Sequence, residues 1–434
     1  MISIITVGTL LLLLAQWAML NKLRAVGGDG VDRSGQGDAR DAFVVRRGHD
    51  LFLNGSPYVF FGTNCYYLQS RLASGSAEDR SLALRTLDDA AATGATVVRT
   101  WAFNDGSRWN AIQPSPGKLD ESALRGLDAT LVECRKRGLR VILALTNYWG
   151  EYGGMPQYLA WARQGPKAKS GDSETGDAFY DDATANRMYF DYVARIVLRK
   201  NSITGVAYRD DPTILAWSPA NEPRSRPANG GRAGAVLAWL DRAAAHIKRL
   251  DPNHLVAHDA EGFLAPRSPN AAAINPYDGA IEGVDWEAEV ALPAVDLACV
   301  HVYPDTWLDE ARAGTAEAAA DFVRAWVRTH AWAARAAGKP FAVTEFARKA
   351  SRGDRPRFYA LVLAELATAV RNGALSGALY WMLAGEGYPD YDGFTTYAKG
   401  GGEVRALQDF AAFVKHYVAT AKAGGGQGTA IAQA

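Results

Sequence analysis

The chain has 434 residues, 48% of them hydrophobic, which is enough to bury a large core. Its 47 lysine and arginine residues balance its 47 aspartate and glutamate residues. This balance gives no overall electrostatic field that would favour nucleic acid or an anionic membrane surface, so no nucleic-acid partner is predicted.

The first segment of the chain is apolar. Residues 2–20 contain no charged side chain, and they are long enough to span a bilayer or to form the core of a signal peptide. The positive charges of Lys22 and Arg24 follow this segment instead of preceding it, which taken alone favours a cytoplasmic domain. We interpret residues 1–24 as a signal peptide or membrane anchor and the Gly/Asp-rich residues 25–41 as a flexible linker.

From residue 42 onward, apolar runs of strand length alternate with helical patterns, after a hairpin signal at 43–55. The runs are continuous, which indicates parallel strands buried on both faces. Eight such strands predict an α/β fold, a (β/α)8 TIM barrel over 42–421, followed by a disordered tail at 422–434. The predicted strands are 58–64, 96–101, 139–145, 212–218, 254–258, 295–303, 339–346 and 377–381. The predicted helices are 78–93, 121–137, 183–200, 233–250, 315–337, 355–372 and 403–421.

Two of the predicted strands lead into a glutamate. Glu222 follows the fourth strand and Glu345 ends the seventh. Because the carboxyl ends of barrel strands meet at one rim, both side chains are expected to face one cleft. Two carboxylates facing one cleft are the apparatus of glycoside hydrolysis, and retaining enzymes hold them about 5–5.5 Å apart as acid/base and nucleophile. Either glutamate alone is as often a solvated loop residue, but their joint occurrence favours a catalytic pair.

Other strand ends carry polar and aromatic side chains that would complete the cleft. His301 and Tyr303 share one face of the sixth strand, where the Tyr303 hydroxyl would lower the pKa of a nucleophilic carboxylate. Arg99 needs a carboxylate partner if it is buried, and Asn221 is placed to hold a sugar hydroxyl. Trp381 could floor the subsite of the reacting sugar. Each of these residues also has a structural alternative. His301 could be a core histidine, Arg99 could form a structural ion pair, Asn221 could form a turn and Trp381 could pack a loop. Three further tryptophans lie in or beside rim loops and could extend this platform or pack the loops: Trp101, Trp149 and Trp307, the last with the weakest case.

Nothing in the sequence indicates a metal or cofactor site. The histidines and cysteines lack metal-ligand spacing, and the glycine-rich stretches 385–387 and 400–402 lack the strand-to-helix context of a phosphate loop. The cysteines, Cys65, Cys134 and Cys299, are too sparse for a disulfide framework and are expected to be buried as small apolar side chains.

With these residues placed, the chain resembles glycoside hydrolase family five, and within it the plant- and fungal-type endo-β-1,4-mannanases. The resemblance covers most of 43–417. Its most specific motifs are Arg-Thr-Trp-Ala-Phe at 99–103 and Thr-Gly-Val-Ala-Tyr-Arg-Asp-Asp-Pro-Thr at 204–213. The other matching stretches are 61–64, 153–158, 221–224, 261–263, 301–305 and 344–346.

The resemblance implies Glu222 as acid/base, Glu345 as nucleophile and Trp101 as a substrate contact. It implies hydrolysis of internal β-1,4-mannosidic bonds in mannan, glucomannan or galactomannan with retention, without a cofactor. For Glu222 to act as an acid, its pKa is expected to be raised by the Glu345 charge. The residues implied around the reacting sugar are Arg99, Asn221, His301, Tyr303 and Trp381.

Several alternatives stay open at this stage. An exo-β-mannosidase, a β-1,4-glucanase, a transglycosylase or a sugar-binding protein without catalysis could use the same scaffold. The chain departs from the family pattern at 218–220, 347–349 and 382–397, which affects the shape of the cleft. Because polymeric sugars do not readily enter cells, we expect a secreted or periplasmic protein, membrane-anchored if residues 2–20 are retained. A monomer is the default expectation.

Overall fold

The fold is described by a computed structural model that covers residues 39–171, 175–226, 231–277 and 279–423. Three predicted segments lie mainly or wholly outside these ranges and stay predictions: the signal peptide or anchor at 1–24, the linker at 25–41 and the tail at 422–434. Within the covered ranges, no helix is both long enough and apolar enough to cross a bilayer.

A small antiparallel sheet precedes the barrel, as the hairpin signal predicted. Its strands are β1 (Val44–Arg47), β2 (Asp50–Leu53) and β3 (Ser56–Pro57), paired in that order. The side chains of Val44 and Leu51 pack with the apolar residues that fill the barrel interior. The hairpin therefore belongs to the same core as the barrel.

Eight parallel strands close into a barrel in the order in which they occur along the chain. Every residue of these strands is buried, because one face lines the barrel interior and the other faces the helices. The predicted (β/α)8 barrel is confirmed. The barrel strands are β4 (Phe60–Asn64), β5 (Val97–Trp101), β6 (Arg140–Ala144), β7 (Ile214–Ser218), β8 (Leu255–Asp259), β9 (Leu297–Val302), β10 (Phe341–Phe346) and β11 (Gly377–Tyr380).

Long helices alternate with the barrel strands, and most agree with their predicted bounds within a few residues. Helix α4 was not predicted, because Gly153 before it, Gly154 at its first position and Pro156 in its first turn are residues typical of a loop. The helices of the described residues are α1 (Leu68–Leu72), α2 (Ala77–Ala92), α3 (Glu121–Lys136), α4 (Gly154–Gln164), α5 (Ala183–Val197), α6 (Ala233–Leu250), α7 (Ala271–Ile274), α8 (Trp286–Val290), α9 (Pro304–Trp307), α10 (Glu310–Ala313), α11 (Ala316–Ala336), α12 (Arg355–Arg371) and α13 (Gly402–Ala423). Short 3-10 turns lie at Ala39–Asp41, Phe179–Asp181, Tyr208–Asp210, Gly279–Glu282 and Ala350–Arg352.

The loop after the last barrel strand is tied back to the rim. Two short strands, β12 (Leu383–Ala384) and β13 (Thr396–Tyr397), pair in parallel and enclose residues 385–395. The backbone N–H of Leu383 donates to the Thr63 hydroxyl on the first barrel strand, at 3.0 Å. This pairing places residues 385–395 beside the carboxyl ends of the strands.

The three cysteines are buried and form no disulfide. Cys134 lies on α3 and Cys299 on β9. Cys65 directly follows β4. Their predicted burial as small apolar side chains is confirmed.

Candidate active site

Glu222 lies in a strained turn after β7. Its φ angle is +46°, in the left-handed region that costs a residue other than glycine about 1–3 kcal/mol. Its backbone N–H donates to the carbonyl of Asp259 at 2.9 Å, and the N–H of Asn221 donates to the carbonyl of Thr146 at 2.9 Å. These hydrogen bonds tie the turn to the loops of the neighbouring strands. They hold the backbone of Glu222 in a conformation that is otherwise unfavourable.

Glu345 lies on β10 at a break in the strand register. The pairing of β10 with β9 shifts between Val343 and Glu345. The Glu345 side chain is buried and accepts hydrogen bonds from Arg99 at 2.6 Å and from the hydroxyl of Tyr303. One oxygen of Glu222, one oxygen of Glu345 and a ring nitrogen of His301 all lie within 4.8 Å of one another. The structure thus brings the two predicted carboxylates into one cleft.

Arg99 is fully buried and joins four side chains at the rim. Its guanidinium donates to Asp259 and Glu345, both at 2.6 Å, and to the side-chain oxygens of Asn64, at 2.9 Å, and Asn221. Two carboxylates and two amide oxygens therefore compensate the buried charge, which would be costly alone. The guanidinium carbon also lies 4.8 Å from the ring centroid of Trp101, within the range of a cation–π contact.

His301 bridges two carboxylates. Its Nδ1 lies 2.7 Å from Glu222 Oε1, and its Nε2 lies 3.1 Å from Asp259 Oδ1. Both nitrogens can donate only if the ring is protonated. Burial would lower the pKa of His301, but the charge of Glu345 and the hydrogen bonds to Asp259 and Glu222 raise it to about 9. The imidazolium also offers no lone pair to a metal ion.

The pKa values of Glu222 and Glu345 lie in the opposite order to the expected one, because the lower value belongs to Glu222. Burial would raise the pKa of Glu222, but the hydrogen bond and charge of His301, with Arg224 and the indole of Trp149, lower it to about 2. Burial outweighs the charges of His301 and Arg99 at Glu345, and with the charge of Glu222 it raises the pKa of Glu345 to about 7. The expected raised pKa of Glu222 is therefore wrong. The two carboxyl groups therefore share one proton between about pH 2 and about pH 7.

The hydrogen bond of Tyr303 acts in the direction that the sequence suggested. The hydroxyl donates to Glu345 and contributes a lowering of the pKa of that carboxyl. This contribution is smaller than the effect of burial, so the net shift is upward.

The predicted tryptophans have different surroundings. The Trp149 indole donates to Glu222 Oε2 at 2.7 Å, so this ring holds a carboxylate. Trp381 stacks on Tyr66, with centroids 5.6 Å apart, and its indole donates to Asp392 at 2.7 Å. Trp307 lies 5.3 Å from the Phe263 ring within an aromatic cluster, which is the loop-packing alternative.

Sequence reasoning missed several members of this site. Asp259 accepts from Arg99, from His301 and from the Thr344 hydroxyl at 2.9 Å. It is the last residue of β8, but the predicted strand stopped one residue earlier. Asn64, at the end of β4, was quoted only as part of a motif.

Comparisons with known proteins agree with this geometry. Residues 41–401 match the family model described as GH family 5 beta-mannosidase-like. The chain belongs to glycoside hydrolase family 5. Its predicted resemblance to this family is therefore confirmed.

Curated relatives and solved structures of this family cover most of the chain. It is 38% identical to mannan endo-1,4-beta-mannosidase 1 of Oryza sativa subsp. japonica, over 86% of this chain and 84% of the relative. It is 35% identical to mannan endo-1,4-beta-mannosidase 1 of Solanum lycopersicum, over 82% and 87% respectively. The crystal structure of the endo-beta-1,4-mannanase from Thermotoga petrophila is 30% identical with a TM-score of 0.70, covering 83% of this chain and 78% of that one.

The Arg99 network yields a prediction about stability. We expect Arg99→Met to lower the free energy of unfolding by about 3–5 kcal/mol, because the fully buried Asp259 would lose its closest counter-charge and keep only the contact with His301. The double variant Arg99→Met/Asp259→Asn should recover part of this loss, since it removes the charge that lost its partner. Urea unfolding measures both variants.

Arg199 provides a matched control for this prediction. It forms an ion pair with the buried Asp128 at 2.7 Å, away from the cleft. The double variant Arg199→Met/Asp259→Asn should lose the sum of the free energies of unfolding that the two single variants lose. If the losses in free energy of unfolding of Arg99→Met and Asp259→Asn simply added in the double variant, the proposed network would be contradicted.

Proposed function

We propose that this protein is a retaining endo-1,4-β-mannanase that cleaves internal bonds of mannan, glucomannan or galactomannan. The observation that carries the proposal is the pair Glu222 and Glu345, which have oxygen atoms within 4.8 Å in one cleft. Inverting enzymes hold their carboxyl groups about 6.5–9.5 Å apart to admit a water molecule, so the shorter spacing favours double displacement. Membership of family 5 and the names of the plant relatives support β-1,4-mannan as the substrate.

The proposed reaction has two displacements. Glu345 attacks the anomeric carbon of a mannosyl unit while Glu222 gives a proton to the leaving oxygen. The bond from that carbon to the leaving oxygen breaks as the ester bond to Glu345 forms. Glu222 then takes a proton from a water molecule, whose oxygen attacks the same carbon and releases Glu345. Two inversions at one carbon leave its configuration retained.

This reaction starts with the shared proton on Glu222 and with Glu345 ionised, the other arrangement of the pair being a proton on Glu345. Both arrangements contain the same number of protons, so substrate binding has only to move one proton within the pair. His301 Nδ1 lies 2.7 Å from Glu222 and 3.6 Å from Glu345. The imidazolium can hand its proton to Glu222 and take the proton of Glu345, which makes His301 a relay between the two carboxyl groups.

We also propose that the protein acts outside the cytoplasm, with residues 2–20 serving in export or anchoring. A polymer such as mannan does not readily enter cells. The apolar character of residues 2–20 supports this proposal.

Hydrolysis of reduced mannohexaose by the full chain tests the proposed function. We expect cuts within the oligosaccharide, resolved by sizing the products over time, and no cuts by Glu345→Ala. Release of mannose one unit at a time would mean an exo-mannosidase. Cleavage of cellohexaose in place of mannohexaose would mean a glucanase.

Azide distinguishes the roles of the two glutamates on 4-nitrophenyl β-mannobioside. In Glu345→Ala, azide can attack from the vacated side, so we expect an α-mannobiosyl azide. In Glu222→Ala, azide should attack the ester on Glu345 from the opposite face, giving the β-azide. Without azide, Glu222→Ala should cleave mannohexaose about 10²–10⁴-fold more slowly. Proton NMR of the anomeric centre distinguishes the two azides. A β-azide from Glu345→Ala and an α-azide from Glu222→Ala would mean that the two glutamates have the opposite roles.

The shared proton predicts the basic limb of the pH profile. As the pH rises through about 7 the pair loses its proton, so kcat/KM should fall over that range. In His301→Asn the limb should move to higher pH, because the His301 charge lowers the pKa of Glu345. The measurement is kcat/KM on mannohexaose between pH 4 and pH 10, with about half-unit steps. A limb that stays in place in the variant would contradict the assigned charge on His301.

A further inference from the structure

Aromatic side chains continue from the cleft over the rim. Trp381 stacks on Tyr66 at 5.6 Å, and Tyr66 lies 6.4 Å from Tyr388 in an edge-on contact. The hydroxyls of Tyr388 and Tyr66 are also hydrogen-bonded, at 2.9 Å. Tyr391 follows, with its ring 5.7 Å from that of Tyr388. The loops after β4 and β11 thus present one connected series of rings.

Arg71 extends this series to Trp109. Its guanidinium lies 5.3 Å from the ring centroids of both Tyr388 and Trp109. An ion pair with Asp79, which also accepts from the Ser74 hydroxyl at 2.7 Å, holds the arginine in position. The series therefore leads in short steps from Trp381 to Trp109.

The series ends in two large aromatic side chains that face solvent. The relative exposure of Trp109 is 52% and that of Tyr391 is 70%. Leaving such rings in water forgoes the free energy that burial would give, about 25 cal/mol per Å² of apolar surface. Exposed aromatic rings beside a cleft are typical of a surface that binds a ligand.

The backbone around Trp109 is fixed before any ligand arrives. The Asn104 amide donates to the Trp109 carbonyl at 2.9 Å, and the Asn110 amide donates to the Ser70 carbonyl at 2.7 Å. Asn110 adopts a φ angle of +51°, which these contacts hold. The backbone that carries the ring therefore does not have to be ordered on binding, which lowers the entropy cost.

The course of the series indicates which part of a substrate it meets. It starts at Trp381, whose backbone N–H donates to the carbonyl of Phe346, next to Glu345. Trp149 and Arg224, the aromatic and cationic neighbours of Glu222, are not part of this series. In the proposed mechanism Glu345 bonds to the sugar on the non-reducing side of the cut.

We propose that Trp109 and Tyr391 form outer subsites for β-1,4-linked mannosyl units on the non-reducing side of the cleaved bond. The flat rings would cover the apolar faces of successive pyranoses, and the Arg71 guanidinium would donate to their hydroxyls. This inference rests on the proposed mannanase function. It adds that the preferred substrate is a mannan chain that extends well beyond the reacting sugar.

The test compares a long substrate with a short one. Mannohexaose can reach the outer subsites, whereas 4-nitrophenyl β-mannobioside places only two sugars on the non-reducing side. We expect Trp109→Ala and Tyr391→Ala each to lower kcat/KM on mannohexaose about five- to tenfold. On the mannobioside they should stay within about twofold of the wild-type chain, and Trp109→Phe should recover most of the loss.

Labelling the hydrolysis with ¹⁸O-water adds a second measurement. Mass spectrometry of the labelled fragments shows which bond of mannohexaose is cut. We expect Trp109→Ala to shift the cuts towards bonds with fewer sugars on the non-reducing side. A loss of stability alone would not move the cut position.

Trp332 supplies a matched control. This tryptophan is 66% exposed near the end of α11, which leads into the start of β10 and so lies towards the opposite end of the barrel. Trp332→Ala should match the wild-type chain on both substrates. Equal losses in Trp332→Ala and Trp109→Ala would overturn the inference.

The remaining outcomes are also decisive. Unchanged mannohexaose kinetics in Trp109→Ala, or an equal loss on both substrates, would overturn the outer subsites while leaving the mannanase function intact. A wild-type chain that cuts neither substrate would overturn the proposed function itself, and this inference with it.

Discussion

Arg99 places a full positive charge where no solvent can neutralise it, and the rim of the barrel is built around that charge. Its guanidinium reaches Asn64 on β4, Asp259 on β8 and Glu345 on β10, together with Asn221 in the turn after β7. Each of these contacts fixes the end of a different strand. The alignment of the two proposed catalytic glutamates therefore follows from satisfying a single buried cation.

The charge balance of the cleft explains the order of the two pKa values. Arg99 and protonated His301 supply two positive charges, and Asp259 and ionised Glu222 supply two negative ones. A proton on Glu345 completes a neutral cluster, and removing it would leave a net negative charge in a buried region, which agrees with the raised pKa of that group. His301 contacts Glu222 and Asp259 directly and lies 3.6 Å from Glu345, so its charge lowers the pKa of Glu345 as well, but less than burial raises it.

The segment after Glu345, where the sequence analysis expected a departure from the family pattern, is held by buried ion pairs. Arg348 is fully buried and donates to Asp305 at 2.7 Å and to Asp354 at 2.8 Å. Asp305 belongs to the segment that follows Tyr303, and it also accepts from the backbone N–H of Lys349 at 2.7 Å. Arg348 and Lys349 thus bind the loop that carries Tyr303 to the loop that follows Glu345.

The sequence by itself determined the barrel and the rim position of Glu222 and Glu345, because continuous apolar runs and strand-end polar residues are local patterns that strand geometry converts into a shared edge. It also indicated Arg99, His301 and Tyr303 as residues that need polar partners. Only the tertiary structure decided what those partners are. Arg99 and Glu345 lie 246 positions apart in the chain, and Arg99 and Asp259 lie 160 apart. The charge on His301 and the resting place of the shared proton depend on such contacts, since electrostatic energies and hydrogen bonds change over fractions of an ångström, which a one-dimensional pattern does not encode.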